Sequence, residues 1–353
     1  MAKTRVLVVD DSALVRSLLA EIINRESDMQ CVGAAADPLI AREMIRELSP
    51  DVITLDIEMP RMDGIDFLAK LMRLRPMPVV MVSTLTERGA DVTLRALELG
   101  AIDFVAKPRI GVADGLHLLG EDITNKIRMA TQATIRRPSP GSGATGAAPS
   151  SLGRLSTEKV IFIGASTGGT EATKEVLTRL PHDAPAVMIT QHMPPGFTTS
   201  YAARLHSLCR IAVAEARDGE RILPGHAYLA PGGLQMSVER SGADYIARVR
   251  EGETVNRHKP SVEVLFKSAA QAVGRNALGI MLTGMGADGA IAMKLMRDAG
   301  SYNLVQDEMS CVVFGMPKEA INAGAAHEVL PLNQIAAKLL EQLRRSGVAG
   351  SRV

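Results

Sequence analysis

The sequence predicts an α/β protein built from two doubly wound parallel-sheet domains. Short runs of β-branched and other apolar residues alternate with amphipathic helical patterns, and an uncharged segment made almost entirely of Pro, Ser, Gly, Ala and Thr interrupts them at 138–153. Such apolar runs are typical of strands buried on both faces of a parallel sheet, and their alternation with helices indicates crossover units. We therefore predict a first domain at 1–137, a flexible linker at 138–153 and a second domain at 154–353.

Five apolar runs predict the strands of the first domain. They are Arg5–Asp10, Gln30–Ala36, Asp51–Asp56, Pro78–Ser83 and Asp103–Ala106, of which Gln30–Ala36 is the weakest. Helices are predicted between them, for example at Ala13–Asn24 and Asp91–Leu99. Asp37-Pro38 opens another, with the N-cap and first-turn residues that helices favour.

The same alternation resumes after the linker. The predicted strands are Lys159–Ala165, Ala186–His192, Arg210–Ala216 and Ala277–Gly284. The predicted helices are Thr170–Arg179, Phe197–Leu208, Val262–Val273, Ala290–Asp298 and Asn333–Arg345. Gln235–Arg240 and Asp244–Arg250 alternate with period two around Ser241-Gly242-Ala243, which predicts an added hairpin.

Composition argues against several classes of protein. A net charge of +1 gives no field to attract nucleic acid or an anionic membrane, and the lack of Trp argues against base stacking. No apolar run approaches the roughly 18 residues of a membrane span, and the N-terminus lacks a signal-peptide core. The cysteines at 31, 209 and 311 are far apart and odd in number, which indicates free thiols in a reducing compartment. We expect a cytoplasmic protein with no nucleic-acid partner and no membrane insertion.

Polar side chains follow four of the five predicted strands in the first domain. Asp10 and Asp11 end the first strand, Asp56 the third and Ser83 the fourth, and Lys107 follows the last. Because the carboxyl ends of parallel strands meet at one edge, these groups are expected to converge. Any one aspartate could instead cap a helix, but capping does not account for all five positions together.

This set of residues predicts a magnesium-dependent phosphoacceptor site. Three carboxylates repel one another unless a cation neutralises them, and Mg²⁺ suits a site of few carboxylates, water and phosphate oxygens. Lys107 adds a further positive charge. The carboxylate of Asp56 could then accept a phosphoryl group, whose oxygens the Ser83 hydroxyl could bind.

The first domain resembles the response-regulator receiver family. The residues that carry the resemblance are Asp10-Asp11, Asp56, Met59-Pro60, Asp63-Gly64, Ser83, Phe104 and Lys107-Pro108, in this order. The resemblance implies a flavodoxin-like fold and phosphorylation of Asp56 by a histidine kinase. It implies a Mg²⁺ site made by Asp10, Asp11, Asp56 and the main-chain carbonyl of Glu58. It also implies a switch formed by Ser83, Phe104 and Lys107, although many receivers have Thr and Tyr at the first two places.

A serine in the second domain has the surroundings of a nucleophile. Gly164-Ala165-Ser166-Thr167-Gly168 lies between a predicted strand and a predicted helix, the setting of a G-x-S-x-G nucleophile elbow. The following helix would bring N-terminal N–H groups near the serine. The segment could alternatively be a phosphate-binding loop, although it lacks the lysine of a P-loop and the spacing of a dinucleotide fingerprint.

A serine nucleophile needs a base and an acid that orients this base. His192 ends a predicted strand and Asp288 lies in the glycine-rich loop after another, so both can converge on Ser166. The chain order Ser, His, Asp differs from the Ser, Asp, His order of α/β-hydrolases. The main chain around Met285 and Gly286 could donate to an oxyanion. Four other histidines lack this placement and are interpreted as structural: His206, His226, His258 and His327.

The second domain resembles the catalytic domain of the chemotaxis protein-glutamate methylesterase family. The segments IGASTGGTEA, ITQHMP, YLAPGG, TGMGADG and FGMPKEA carry the resemblance. It implies a Rossmann-like hydrolytic domain in which Ser166 attacks the γ-methyl ester of receptor glutamates. His192 would be the general base, Asp288 would orient it, and the Met285 N–H would help to form the oxyanion hole.

The same resemblance implies partners and a second activity. The substrates would be methyl-accepting chemotaxis receptors, the phosphodonor would be a chemotaxis histidine kinase, and certain receptor glutamines would be deamidated. Thr167 could line the site or cap a helix. No cofactor is expected in this domain, because no His, Cys and Asp cluster has the spacing of metal ligands.

Three other functions remain open from the sequence. A receiver could be fused to a DNA-binding output, although no basic recognition helix follows the linker. It could control a small-molecule-binding or interaction module without catalysis. The esterase could also serve receptors outside flagellar chemotaxis. If it is an esterase, the receiver is expected to block the catalytic cleft until phosphorylation of Asp56 favours an open form.

Overall fold

The computed structural model describes residues 3–59, 63–84, 87–107, 120–135 and 159–349. The chain divides into two compact units, Met1–Ser142 and Gly143–Val353, and each is described by itself. The predicted linker at 138–153 and the predicted domain ends at 137 and 154 lie outside the described residues, so these bounds stay predictions. Among the described helices, none combines the length and apolar character that crossing a membrane requires.

The first unit is a five-stranded parallel sheet with the order β2-β1-β3-β4-β5, as expected for a flavodoxin-like domain. Its strands are β1 (Thr4–Val9), β2 (Met29–Ala35), β3 (Val52–Asp56), β4 (Val79–Thr84) and β5 (Asp103–Lys107). Its described helices are Ala13–Arg25, Pro38–Leu48, Gly64–Leu74, Glu87–Glu98 and Gly120–Gln132. All five residues of β3 are buried, and Asp56 is the last of them. Asp56 therefore lies at the carboxyl edge of the sheet and is shielded from solvent.

Side chains other than the three carboxylates cap the first turns of three described helices in this unit. Ser12 accepts from the Val15 N–H, Asp37 accepts from two N–H groups, and Asp63 accepts from the Ile65 N–H. The prediction of a helix beginning at Asp37-Pro38 is therefore confirmed. Since other residues occupy these N-caps, capping does not explain Asp10, Asp11 or Asp56.

The second unit is a seven-stranded parallel sheet with the order β14-β13-β12-β6-β7-β9-β8. Its strands are β6 (Val160–Ala165), β7 (Ala186–Gln191), β8 (Ala212–Glu215), β9 (His226–Leu229), β12 (Ala277–Met281), β13 (Tyr302–Gln306) and β14 (Glu328–Leu330). Its α-helices are Gly169–Leu177, Phe197–Leu208, Val262–Ala272, Ala290–Asp298, Met316–Asn322 and Leu332–Ala349. The predicted class of two doubly wound parallel-sheet domains is confirmed.

The predicted hairpin is present as a separate antiparallel pair. It joins β10 (Gln235–Ser241) to β11 (Asp244–Arg250). Ser241 pairs with Asp244, so the connection has two residues and not the three that the sequence predicted. Met236, Val238 and Ala247 of the hairpin belong to the main apolar core, which packs it against the helix Val262–Ala272.

Candidate functional site

The three aspartates predicted to hold a metal lie together in the first unit. Ligand oxygens of Asp10, Asp11 and Asp56 all lie within 4.8 Å of one another. Asp10 and Asp56 are buried and Asp11 is exposed, so the cluster opens to solvent on one side. The N–H of Glu58 lies 3.4 Å from an oxygen of Asp56, which brings the Glu58 main chain to the cluster. Closely spaced carboxylates with partial solvent access fit a hard cation that keeps some of its waters.

Lys107 joins the two buried aspartates. Its Nζ lies 2.8 Å from an oxygen of Asp10 and 2.8 Å from an oxygen of Asp56. Burial raises the pKa of Asp56, the Lys107 ammonium lowers it and the Asp10 carboxylate raises it again, with a result of about 6. Burial lowers the pKa of Lys107, but the two carboxylates outweigh burial and raise it. Two carboxylates thus share one ammonium, which leaves excess negative charge for a cation.

Two of the predicted switch residues, Ser83 and Phe104, are buried and contact neighbours that the sequence did not indicate. The Ser83 and Thr93 hydroxyl oxygens lie 2.7 Å apart, and Thr93 belongs to the helix Glu87–Glu98. The Phe104 ring is buried, with Nζ of Lys126 at 5.2 Å from its centroid. Lys126 also donates to the main-chain carbonyl of Phe104. The structure therefore links β4 and β5 to the two helices that follow them.

Ser166 in the second unit directly follows β6. Its N–H donates to the Thr283 carbonyl at 3.0 Å, and its carbonyl accepts from Gly169 N at 2.7 Å and from Nε2 of Gln191 at 2.8 Å. Gly168 has φ of +74°, a conformation that favours glycine, and it begins the helix Gly169–Leu177. The tight strand–turn–helix predicted around Ser166 is therefore present. The N-cap residue Gly168 has no side chain to cap this helix, and the two roles considered for Thr167, lining the site or capping the helix, stay predictions.

The sheet register brings His192 beside Ser166. Ala165 of β6 pairs with Gln191 of β7, and the next residues along the two strands are Ser166 and His192. Parallel neighbours are about 4.8 Å apart, and the His192 N–H donates to the Ala165 carbonyl at 3.1 Å. The serine and the histidine thus emerge side by side at one edge of the sheet, as the sequence predicted.

His192 contacts Asp288 through one ring nitrogen. Nε2 lies 2.8 Å from Oδ2 of Asp288, while Nδ1 is buried and has no hydrogen-bond partner within the described parts of the chain. The His258 ring stacks on the His192 ring, with centroids 3.6 Å apart. His258 therefore lies against the candidate base although no strand-end pattern places it there, and its interpretation as a structural histidine stays a prediction. The position of His258 depends on a turn.

Asp288 is surrounded by donors. Its carboxylate accepts from the Asn256 amide at 2.8 Å, the Ser261 hydroxyl at 2.7 Å and the Val262 N–H at 2.7 Å. Val262 is the first residue of a helix whose N-cap side chain, Ser261, does not accept from the helix N–H groups, so Asp288 stabilises that positive helix end from another loop. Burial raises the pKa of Asp288, but His192, Asn256 and Ser261 outweigh burial and lower it to about 2.

The glycine-rich loop after β12 lies against Ser166. A Cβ built on Gly284 would be 2.7 Å from Cβ of Ser166, so only glycine allows this approach. Met285 follows and exposes 41% of its surface. The Thr283 hydroxyl accepts from the Val312 and Val313 N–H groups at 3.1 Å and 3.0 Å, which fixes the start of the loop. This loop therefore brings its main chain to the Ser166 side of the site.

The other three histidines that were interpreted as structural, His206, His226 and His327, make local contacts. Nδ1 of His206 accepts from Val213 N at 3.1 Å, and Nδ1 of His327 accepts from Asn303 N at 3.1 Å. His226 lies 3.0 Å from the Pro224 carbonyl. These contacts satisfy main-chain groups near their own strands. Only His192 and His258 of the predicted set meet at the Ser166 edge.

Comparison with known proteins identifies both units. A CheB methylesterase family model matches residues 161–339, and a response regulator receiver domain model matches residues 6–112. A protein-glutamate methylesterase/protein-glutamine glutaminase of Albidiferax ferrireducens is 71% identical, with 97% of this chain and 95% of that protein covered. One from Cupriavidus pinatubonensis is 58% identical, with 100% and 99% covered.

A solved structure matches the second unit. It is the CheB methylesterase catalytic domain of Thermotoga maritima, which is 36% identical with a TM-score of 0.51. The match covers 52% of this chain and 98% of that domain. The family models, the relatives that match nearly end to end and this neighbour agree. The chain therefore belongs to the CheB protein-glutamate methylesterase/protein-glutamine glutaminase family, with a response regulator receiver domain ahead of its methylesterase domain.

Proposed function

We propose that this protein is a receiver-controlled serine hydrolase that removes methyl esters from glutamate side chains of chemotaxis receptors and deamidates receptor glutamines. The names of its relatives give the reaction. The observation that carries the residue assignment is the His192–Asp288 pair, in which Nδ1 of His192 has no hydrogen-bond partner among the described residues and lies next to the strand that Ser166 directly follows. A buried nitrogen with a free lone pair, on a residue that neighbours Ser166 across the sheet, is suited to act as a general base.

In the first half of the reaction, Ser166 acts as the nucleophile. With Nε2–H donated to Asp288, the Nδ1 lone pair of His192 takes the Ser166 proton as Oγ attacks the ester carbonyl carbon. The carbon–methoxy bond then breaks, and methanol leaves with the proton from Nδ1. The product is a glutamyl ester of Ser166.

In the second half, His192 takes a proton from water as the water oxygen attacks the glutamyl ester. The bond to Ser166 breaks, and the proton returns from Nδ1 to Oγ. The receptor glutamate is released as a carboxylic acid, which ionises at neutral pH. With a glutamine substrate the same steps release ammonia in place of methanol.

Asp288 and Met285 stabilise the charges that develop. The low pKa of Asp288 keeps it ionised throughout, so it can hold the imidazolium that forms when His192 takes a proton. The Met285 N–H would donate to the oxyanion, because its loop packs against Ser166 at Gly284. The N-terminus of the helix Gly169–Leu177 adds positive potential on the same side.

In the receiver, Asp56 would accept the phosphoryl group from a chemotaxis histidine kinase. Asp10, Asp11 and Asp56, with the Glu58 carbonyl, would hold Mg²⁺, and their spacing fits this ion. The ion would neutralise the carboxylates and the phosphoryl oxygens. Lys107 would pair with the phosphoryl group, since it already contacts Asp56. The Ser83 hydroxyl would turn from Thr93 toward the phosphoryl oxygens. The Phe104 ring would change its position in response, as the second member of the switch.

The assignment of Ser166 is tested by methanol release from methylated receptor membranes. Ser166→Ala should lower the rate at least 10³-fold, because it removes the nucleophile. Ser207→Ala is the matched control, since the Ser207 hydroxyl only donates to the Arg204 carbonyl at a helix end. Wild-type methanol release by Ser166→Ala would overturn the assignment of Ser166, whereas no methanol release by the wild-type protein would favour a receiver-controlled binding module without catalysis.

A further inference from the structure

A tight turn lies against the Asp288 side of the active site. Val255 N donates to the His258 carbonyl at 3.0 Å and His258 N to the Val255 carbonyl at 2.9 Å, which encloses Asn256 and Arg257. Both enclosed residues are left-handed, with φ of +52° and +68°. A two-residue turn of this kind favours Asn or Gly first and Gly second. Arg257 therefore occupies a position where a side chain costs about 1 kcal/mol.

The turn aims Asn256 at the catalytic carboxylate. Nδ2 of Asn256 donates to Oδ1 of Asp288 at 2.8 Å, while Oδ2 of Asp288 faces His192. The Ser261 hydroxyl also donates to Oδ1, and the Val262 N–H donates to Oδ2. The terminal torsion of an aspartate is soft, so donors that distinguish its two oxygens decide which one faces the imidazole.

The added hairpin holds this turn in place. Gln235, the first residue of β10, donates from Nε2 to the His258 carbonyl at 3.2 Å and to the Glu253 carbonyl at 3.0 Å. Its Oε1 accepts from Ser261 N at 2.9 Å. One glutamine thus ties both sides of the turn to the hairpin, so the strained conformation persists in the folded protein.

We propose that Asn256 is a positioning residue, which acts through Asp288 to keep its Oδ2 aligned with Nε2 of His192. The proposal rests on the proposed function, since it assigns a role in the same reaction. Asparagine suits the place for two reasons: it tolerates the left-handed region better than most residues, and its amide supplies a neutral donor to a carboxylate. Loss of this donor would act on the chemical step more than on substrate binding.

Two adjacent glycine substitutions test the proposal in the full-length protein. Asn256→Gly keeps a residue that favours positive φ but removes the donor, and Arg257→Gly relieves the strain but keeps the donor. Asn256→Gly should lower kcat for methanol release about tenfold with KM unchanged within twofold. Arg257→Gly should keep kcat within twofold and raise the thermal midpoint. Equal kcat in Asn256→Gly and wild type would overturn the proposal.

A double-mutant cycle separates positioning from a structural effect on the turn. In an Asp288→Ala background, Asn256→Gly should change the residual rate less than twofold, because the carboxylate that it positions is absent. The same tenfold loss in that background would overturn the proposal. If Asp288→Ala lowers the thermal midpoint so far that its rate cannot be measured, Asp288→Leu, which also lacks an acceptor for the Asn256 amide, serves in its place. If the wild-type protein releases no methanol, the proposed function itself fails, whereas methanol release that is lost in Ser166→Ala but unchanged in Asn256→Gly rejects only the present inference.

Discussion

Asp56 and Asp288 occupy equivalent places in the two domains and have opposite electrostatic character. Both lie at or beyond the carboxyl end of a parallel strand, and each exposes only 2% of its surface. Yet the pKa of Asp56 is raised to about 6 and that of Asp288 is lowered to about 2. Burial alone therefore does not set the pKa of these two carboxyl groups, because they are equally buried. The groups that surround each of them determine the difference.

The partners differ in sign and in number. Asp56 lies beside a second buried carboxylate, Asp10, and both share Lys107. Asp288 receives donors from His192, Asn256, Ser261 and the Val262 N–H. A site with uncompensated negative charge is suited to binding a cation and changing its charge state, as a phosphoacceptor must. A saturated carboxylate is suited to remaining an anion while the adjacent histidine gains and loses a proton.

The largest expected effect is on the rate of methanol release, and it should differ between alanine variants of Asp288 and Asp56. Asp288→Ala should lower kcat for methanol release about 10³- to 10⁴-fold, because His192 loses the charge that stabilises its imidazolium. Asp56→Ala should retain measurable methanol release but lose its response to a small phosphodonor with Mg²⁺. Both rates can be measured on methylated receptor membranes. A phosphodonor response that survives in Asp56→Ala would contradict the receiver assignment.

Much of this comparison could be predicted from the sequence, because both sites lie at strand ends. Apolar runs that finish in Asp, Ser or His indicate where side chains emerge, which is how Asp56, Ser166 and His192 were found. The turn that carries Asn256 and His258 could not be predicted, since Asn-Arg lacks the glycine that usually marks it. β13 was also missed, because its buried Asn303 and Gln306 break the apolar pattern. Their amides serve buried main-chain groups that only the fold brings near.

Mg²⁺ should stabilise the receiver in a pH-dependent manner. Since the ion binds ionised carboxylates, its effect on the unfolding free energy should be full above the Asp56 pKa of about 6 and should fall below it. At Mg²⁺ concentrations near 100 times Kd the gain is about 2.7 kcal/mol. Thermal unfolding at pH 7.5 and pH 5, with and without Mg²⁺, measures it. An equal gain at both pH values would argue against binding at these carboxylates.

The catalytic domain should show a pH dependence of the same sign, displaced to lower pH. The folded pKa of Asp288 lies below the ordinary value of 3.8, so its contribution to stability is present above about pH 4 and is lost as pH falls toward 2. The contribution is about 2 kcal/mol. The difference in unfolding free energy between wild type and Asp288→Asn, followed by denaturant titration, should shrink over this range. A constant difference between pH 5 and pH 2 would show that the charge of Asp288 does not account for its contribution to stability.

The smallest expected effect concerns the switch. The Ser83 hydroxyl accepts from the Thr93 hydroxyl at 2.7 Å and donates to the Gly89 carbonyl at 3.4 Å, so its movement toward a phosphoryl group on Asp56 exchanges these contacts for new ones. Thr93→Val removes the first of these contacts, which is worth about 1 kcal/mol, and should lower the phosphodonor concentration for half-maximal activation up to about fivefold. Thr54→Val is the matched control, because the buried Thr54 hydroxyl has no partner within the described residues. An unchanged concentration in Thr93→Val would mean that Thr93 does not hold Ser83 away from Asp56. A lower phosphodonor concentration in Thr93→Val but not in Thr54→Val would indicate that this neutral contact stabilises the unphosphorylated receiver. The charges around Asp56 would then not be the sole influence on its phosphorylation. No equivalent contact is described around Asp288.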